Sequence, residues 1–597
     1  MLDRRQLLSS SAALAATAAL PAWAQGNSAL AALLDAMAQE QLRANPEGAT
    51  QLGLDKGANA DLRSRLADGS AAGIAGNKAR NLDQLRRLKA IDAAGLTGMD
   101  RVNYDTVLYT GESRARVQAF DFGGGGASPY VIAQRDGVYQ SVPDFLDTKH
   151  PINDAADADA YLARLEAFAT ALDDDTARFR HDTGMGVVPP DFIMDLSLTQ
   201  FAKTRLPADQ SVLVTSIAKR AKAKGLPDSY AARATAIHND KVLPALDRQI
   251  AAVQAVRPRA RHDAGMIFKD GAAFYAACLQ FYTTTNFTPA EVHRLGLDQG
   301  KEISARIEGE LKKQGLTKGS IGARIAALTA DPKYLYPNTD AGKADIIAYC
   351  NSRLAAVSPR LPQAFKRIPP YKFEVRRVPA ATEAGAASAF SQGPALDGSR
   401  PGIVYINLHD SAEWPRFTLP SLIYHEGLPG HQLETGLALS NAGLPLIRKM
   451  VLFSGYAEGW GLYAEQLADE LGMYDDDPLG RIGYLKFQLF RAARCVVDTG
   501  IFTQGWSREK AIQYFVDLEG DAPGFAAREV ERYCSTPGQA CSYKIGHTVW
   551  TRARARAQSQ LGAKYDIKDF HDAGLSCGRV PLQVLDGVID AYIKAKA

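Results

Sequence analysis

Cysteine is scarce: six in 597 residues, at positions 278, 350, 495, 534, 541 and 577, with no Cys-x-x-Cys among them. That absence excludes a zinc ribbon and a thioredoxin-type redox site. An oxidising compartment would permit Cys534 and Cys541, the closest two, to pair; the sequence leaves this open, and a chain of this size needs no covalent staple. Neither sign of charge is in excess, since 69 Lys and Arg face 66 Asp and Glu. The balance provides no field for nucleic acid or an anionic membrane. Beyond the first two dozen residues no run approaches the roughly 20 apolar residues a bilayer demands, so stable membrane insertion is not expected. Internal repeats are absent. Histidine is also rare, ten in all, yet two of the ten fall inside one short window, "YHEGLPGHQLE" at 424–434.

The N-terminus is the first thing present. "MLDRRQLLSSSAALAATAALPAWAQ" places Arg4 and Arg5 before an apolar run from about Leu7 to Leu20. Ala22, Trp23 and Ala24 follow in a small-x-small cleavage pattern. Residues 1–24 therefore read as a signal peptide, and the twin Arg resembles the Tat export signal. The mature protein is expected to be periplasmic or secreted. What remains exceeds one ordinary core. A boundary at "AVRPRARHDAG" divides it into an N-terminal helical lobe, 25–260, and a C-terminal lobe, 261–597, that carries the chemistry.

Apolar residues recur at three- and four-residue spacing through most of the chain, as in "DADAYLARLEAFATALDDDTARF" and "PLQVLDGVIDAYIKA". Thr288, Pro289 and Glu291 spell a helix start with a capping box, and Ser507 opens another helix. Strand signals are few: "YKFEVRRVP" at 371–379 and "PGIVYINL" at 401–408. The fold class is mainly α, a large multi-helix assembly with a small β element next to the window.

A metallopeptidase helix reads His-Glu-x-x-His, which puts two imidazoles roughly 40° apart around the helix. Here the second His is two residues late. On a regular helix His425 and His431 would stand roughly 240° apart and share no ligand. Pro429 removes that obstacle. It lies four residues after His425, has no N–H to give that carbonyl, and its ring clashes with it. The helix must open there, Gly427 and Gly430 make the opening cheap, and His431 can come round to the same face. The pair is then either a metal site or two buried, hydrogen-bonded histidines. Glu458 supplies a third candidate. It sits in "SGYAEGWGLYAEQLADELG", flanked by Ala457, Gly459 and Gly461, on a helix that returns after a loop. Glu465 is seven residues on, along the same face, where it would orient a ligand. The alternative for both acids is a solvated face, against which stand Trp460 and Tyr463.

Residues 380–597 resemble the bacterial "domain of unknown function 885" family. The similarity is carried by "DGSRPGIVYINL", "HEGLPGHQLE", "YAEGWGLYAE", "VVDTGIF", "RYCSTPGQACSYKIG" and "FHDAGLSCGRVPL", in that order, and more loosely by "TPAEVHRLGL" upstream. That family in turn resembles the helical zinc peptidases of the angiotensin-converting enzyme, thimet oligopeptidase and Taq carboxypeptidase type; dipeptidyl peptidase III tolerates one residue inserted in the same motif. The resemblance implies His425, His431 and Glu458 as ligands of one Zn ion and Glu426 as general base. It implies a zinc-dependent hydrolase acting on a peptide or a small amide. An amidase or esterase with the same site, and a non-catalytic periplasmic binding protein on the same fold, are the alternatives. The chain departs from the family pattern at Phe502, where a His is expected, and at Phe390 and Ser391, where two Tyr are.

Other roles follow from chemistry near the motif. A tetrahedral intermediate needs a donor, and the related peptidases take theirs from a C-terminal helix; among Gln539, Tyr543, Lys544 and His547, Tyr543 is preferred. Lys544 or Arg532 would anchor a substrate carboxylate, with Gln539 beside them. "PGIVYINL" offers Tyr405 and Asn407 on a strand whose edge would accept an extended peptide. Arg494 and Asp498 are spaced to pair along a helix. "GLSCG" at 574–578 matches a nucleophile elbow formally but lacks the preceding strand, and "GGGG" at 123–126 lacks the Lys-Ser/Thr of a phosphate loop. The leader is directly testable: Arg4→Lys with Arg5→Lys should hold uncleaved precursor in the cytoplasm on fractionation, and normal export of that variant would eliminate the twin-Arg reading.

Overall fold

The computed structural model describes residues 27–379, 383, 388–394 and 400–597; the leader read at 1–24 lies outside them. The chain is mainly α, with one three-stranded sheet. The start signals act as the local rules require. Thr288 and Glu291 close a capping box on the helix Pro289–Lys313, and Ser507 accepts from the Lys510 amide at the head of Arg508–Glu519. Apolar residues between 132 and 256 form one buried cluster, and those between 275 and 593 a larger one. A third cluster draws Phe122 and Ile193 together with Val497 and Phe515. Among the described residues no helix is long and apolar enough to cross a membrane. All six cysteines are buried free thiols, Cys534 and Cys541 included.

The sheet holds β1 (Phe373–Arg377), β2 (Ala389–Gln392) and β3 (Gly402–Ile406) in the order β1-β3-β2. β1 runs parallel to β3 and β2 antiparallel. Both strand signals contain a strand, but β2, only four residues long, was not anticipated. Its presence corrects the expectation for Tyr405 and Asn407. β3 is the central strand, so its backbone groups are spent on both neighbours and no peptide can add to it. The outer edge of β1 is met at Val375 by Asn351, whose amide donates to the carbonyl at 3.0 Å and accepts from the N–H at 2.9 Å. Among the described residues the remaining edge is that of β2.

Two helices of the larger core set the site. The return helix, Ser454–Glu470, packs along the tyrosine helix, Ser542–Leu561. Glycine inside a helix costs about 0.5–1 kcal/mol, and the return helix carries three. The contact explains Gly459, and Gly546 on the facing helix. A Cβ on Gly459 would lie 2.4 Å from the Gly546 carbonyl carbon, and a Cβ on Gly546 would lie 1.9 Å from the Gly455 oxygen. The two backbones therefore touch, and Trp460, Tyr463 and Trp550 fill the space around that contact, all fully buried. Gly546→Ala should force the helices apart and cost about 1–3 kcal/mol by overpacking, read as a lower denaturant midpoint; an unchanged midpoint would mean that the contact is not tight.

Candidate metal centre

The first ligand helix, Leu419–Glu426, begins with Pro420 in its first turn, where a missing N–H is harmless. It ends one residue past His425. Gly427 donates back to Ile423 at 2.8 Å, Pro429 donates nothing, and a new helix starts at His431 and runs to Ser440. The helix breaks between the two histidines, as the position of Pro429 requires. The role of Gly430 differs from the one expected. Its φ of −77° suits any residue, but a Cβ there would lie 1.8 Å from the His425 oxygen. It is glycine because the second helix folds back directly onto the carbonyl that Pro429 cannot satisfy. The Pro429 carbonyl is itself met by the Trp460 indole N–H at 3.0 Å. Gln432 ties the second ligand helix to the sheet through the carbonyls of Gln392 and Ile403.

The break brings the two imidazoles to a centroid separation of 4.8 Å, nearly perpendicular at 86°. Glu458 Oε2 lies 3.4 Å from His425 Nε2 and 3.4 Å from His431 Nε2. One potential ligand atom from each of the three residues lies within 4.8 Å of the others. The two 3.4 Å separations are informative. They exceed the roughly 2.7–2.9 Å of a charge-assisted hydrogen bond. They match the edge of a tetrahedron whose corners lie roughly 2.0–2.2 Å from its centre, about 3.3–3.6 Å. Two nitrogens with one carboxylate suit Zn or a similar borderline cation.

His425 is locked in place. Its ring lies across the return helix at Gly461, where a Cβ would stand 2.6 Å from Cε1. Glu458 and Glu465 flank that gap. Glu465, fully buried, meets Nδ1 at 2.8 Å and accepts from Ser421 Oγ at 2.8 Å. A carboxylate on Nδ1 leaves Nε2 to face the triad. Burial alone depresses the His425 imidazolium, but Glu458 and Glu465 outweigh it and hold the group at about 9. Burial likewise disfavours the Glu458 carboxylate, yet His425 and His431 hold it well below the usual range.

Glu426, half-buried, follows His425 directly. Ser391 of β2, a residue singled out in sequence only as a departure from the family pattern, donates to Glu426 Oε2 at 2.7 Å and contacts its carbonyl at 2.6 Å. Phe390 stacks on Tyr405 at 5.1 Å. Tyr543 stacks on His425 with centroids 6.3 Å apart. Burial, then Glu458, raises the Tyr543 pKa, so its hydroxyl stays protonated and able to donate.

Several expected site residues are engaged elsewhere. Lys544 is one residue past Tyr543 and so faces another direction; its Nζ donates to Gln488 at 3.0 Å and lines a separate cavity of about 380 Å³ with His547 and Arg306. Burial lowers the Lys544 pKa to about 8. Arg532 donates to Gln539 at 2.6 Å and Glu529 at 2.9 Å, and Gln539 donates on to Ser454. Asn407 donates to the Glu383 carbonyl and accepts from the His409 amide. Phe502 stacks on Tyr275 at 4.8 Å. Arg494 and Asp498 do not pair: Arg494 donates to Glu529 and Tyr533, while Asp498 accepts from Tyr275 and the Gly538 amide. Ser576 closes the helix Ile567–Ser576 with no strand before it, which disposes of the elbow.

A mainly α chain with a His, His, Glu cluster between two broken helix ends and a small sheet defines the class. The chain belongs to the family of bacterial proteins of unknown function DUF885, whose model matches residues 46–589. The crystal structure of a candidate lipoprotein from Colwellia psychrerythraea superposes with a TM-score of 0.90 at 29% identity, over 95% of this chain and 99% of that one. A candidate lipoprotein of unknown function from Shewanella oneidensis shares the fold with a TM-score of 0.73 at 17% identity, over 94% and 99%. Among curated proteins none matches.

Two substitutions probe the centre without touching a ligand. Glu465→Gln should weaken metal binding about 10–100-fold. Gly461→Ala should displace the His425 ring and lower metal stoichiometry with only a modest loss of stability. Elemental analysis and calorimetric titration read both, and full metal content with unchanged affinity in both variants would refute the centre.

Proposed function

We propose that this chain is an exported, zinc-dependent hydrolase that cleaves peptides. The observation that carries the reading is the clustering of ligand atoms of His425, His431 and Glu458 within 4.8 Å, beside an acid, Glu426, that forms no ion pair among the described residues. The donor set fits a divalent ion of the zinc kind: two imidazole nitrogens, each at tetrahedral spacing from one carboxylate oxygen, with the Nδ1 of His425 already held. Such an ion, when bound, supplies Lewis acidity that activates water and polarises a carbonyl.

The chain's own residues supply the rest. Glu426 lies next to a ligand in sequence, so its carboxylate is placed to take a proton from attacking water and deliver it to the leaving amine. Ser391 steadies that carboxylate. Tyr543, held flat over His425, donates its hydroxyl to the oxygen on which charge develops. An extended substrate fits along the outer edge of β2, which ends against Glu426. Export is supported by the leader and by the description of the Colwellia and Shewanella relatives as candidate lipoproteins.

Peptide turnover by the purified protein should vanish with chelator and return with added Zn. Glu426→Gln should retain metal and fold while losing about two to four orders of magnitude in rate. Near-normal turnover by that variant, or turnover indifferent to chelator, would sink the mechanism.

A further inference from the structure

A long helix, Pro478–Gln504, passes beneath the return and tyrosine helices and turns Gln488, Arg491 and Arg494 toward them. Gln488 is fully committed, donating to Leu462 and accepting from Lys544. Arg491 is not. It is only 7% exposed, yet it makes no hydrogen bond and no ion pair among the described residues, and its Nε is entirely closed off from solvent. A buried guanidinium without a counterion is costly, and burial lowers its pKa accordingly. The Nη1 of Arg494 is likewise buried without a partner.

The charge around Tyr543 is one-sided. Arg494 and Arg532 share a single carboxylate, Glu529, and Arg491 has none. Of the acids near Arg491, Glu465 and Glu458 face the histidines, and Glu519 has both carboxylate oxygens buried without a hydrogen bond. Glu519 sits beside Lys486 at 3.9 Å, and burial and Asp521 push it toward its neutral form. The Arg491 guanidinium lies 4.7 Å from the Phe487 ring centre, 5.4 Å from that of Phe490 and 5.7 Å from that of Tyr543, while Arg494 lies 4.6 Å from Tyr543. The rings of Phe487, Phe490 and Tyr543 lie against the guanidinium, and its unpaired N–H groups suit a carboxylate. Tyr543 has His425 against its ring. A group bound at Arg491 therefore lies beside the ring that stacks on His425, within reach of one to three extended residues at about 3.3–3.6 Å each.

We infer that Arg491, with Arg494 beside it, receives a carboxylate of the substrate next to Tyr543. This rests on the hydrolase reading and narrows its substrates to short peptides bearing a negative charge close to the cleaved bond. The carboxylate is either the C-terminus of the peptide or an acidic side chain. Lys544 and Arg532, expected from sequence to do this work, are held by Gln488, Glu529 and Gln539.

The test compares three peptides of one core sequence with the metal-loaded protein: free C-terminus, C-terminal amide, and amide with Glu placed after the cleaved bond. The wild type should favour a carboxylate-bearing peptide over the plain amide about 100-fold in kcat/KM, mostly through KM. Preference for the free acid identifies the C-terminus; preference for the Glu peptide identifies the side chain. Arg491→Met should erase the preference, and Arg491→Lys should restore part of it. Binding provides a readout apart from turnover. In the Glu426→Gln variant, N-acetyl-dialanine should bind by calorimetry and its amide should not, and adding Arg491→Met should abolish the difference. Equal handling of all three peptides by the wild type, or equal binding of acid and amide, would overturn the inference. Loss of all turnover with the binding difference intact would instead count against the hydrolase reading alone.

Discussion

One imidazole holds this structure's chemistry together. The His425 ring lies across a helix between two carboxylates that are seven residues apart, about 10 Å along the helix axis, over the position where Gly461 has no side chain. Glu458 takes one nitrogen and Glu465 the other. Neither acid could reach the ring if a methyl group stood between them. Everything else at the centre is arranged around that seat: the helix that ends just past His425, the second helix that brings His431 to the same oxygen of Glu458, and the tyrosine that covers the ring from the other side.

That seat needs a backbone-to-backbone contact deeper in the core. Because Gly459 and Gly546 let the return and tyrosine helices touch, Tyr543 comes within stacking distance of His425. Wider spacing would leave the ring uncovered and admit water between Tyr543 and the centre. The glycines that weaken each helix in isolation thus bring a tyrosine ring against His425. The same packing turns Lys544, the next residue, toward Gln488 and away from the centre.

The electrostatics divide the site in two. Around His425 and His431 negative charge predominates, which favours a cation. Beside Tyr543 positive charge predominates, with Arg491 in no ion pair among the described residues. The Tyr543 ring borders both regions. A metal and a substrate carboxylate would each answer one of them, and the two ends of a short peptide substrate would then be fixed beside the tyrosine.

The sequence by itself determined what depends on covalent geometry and local periodicity. A helix cannot run through Pro429 four residues after His425, so the late histidine and its proline were legible as one feature, and the pattern of apolar residues and caps made the chain mainly α. Glu458 and Glu465 were legible because a seven-residue spacing keeps two side chains on one helix face. Tertiary structure alone decided the rest. β2 is too short to show alternation, so neither the closed edges of β3 nor the contact between Ser391 and Glu426 was visible. The sequence offered Tyr543, Lys544, Arg532 and Gln539 within a dozen residues, but which of them faces His425 depends on a helix rotation set by Gly546. Arg494 was spaced to pair with Asp498 and instead found Glu529, and Arg491 drew no notice because its distinguishing property is the lack of a partner. Spacing along a chain says which groups share a face; what stands opposite that face depends on segments far away in sequence.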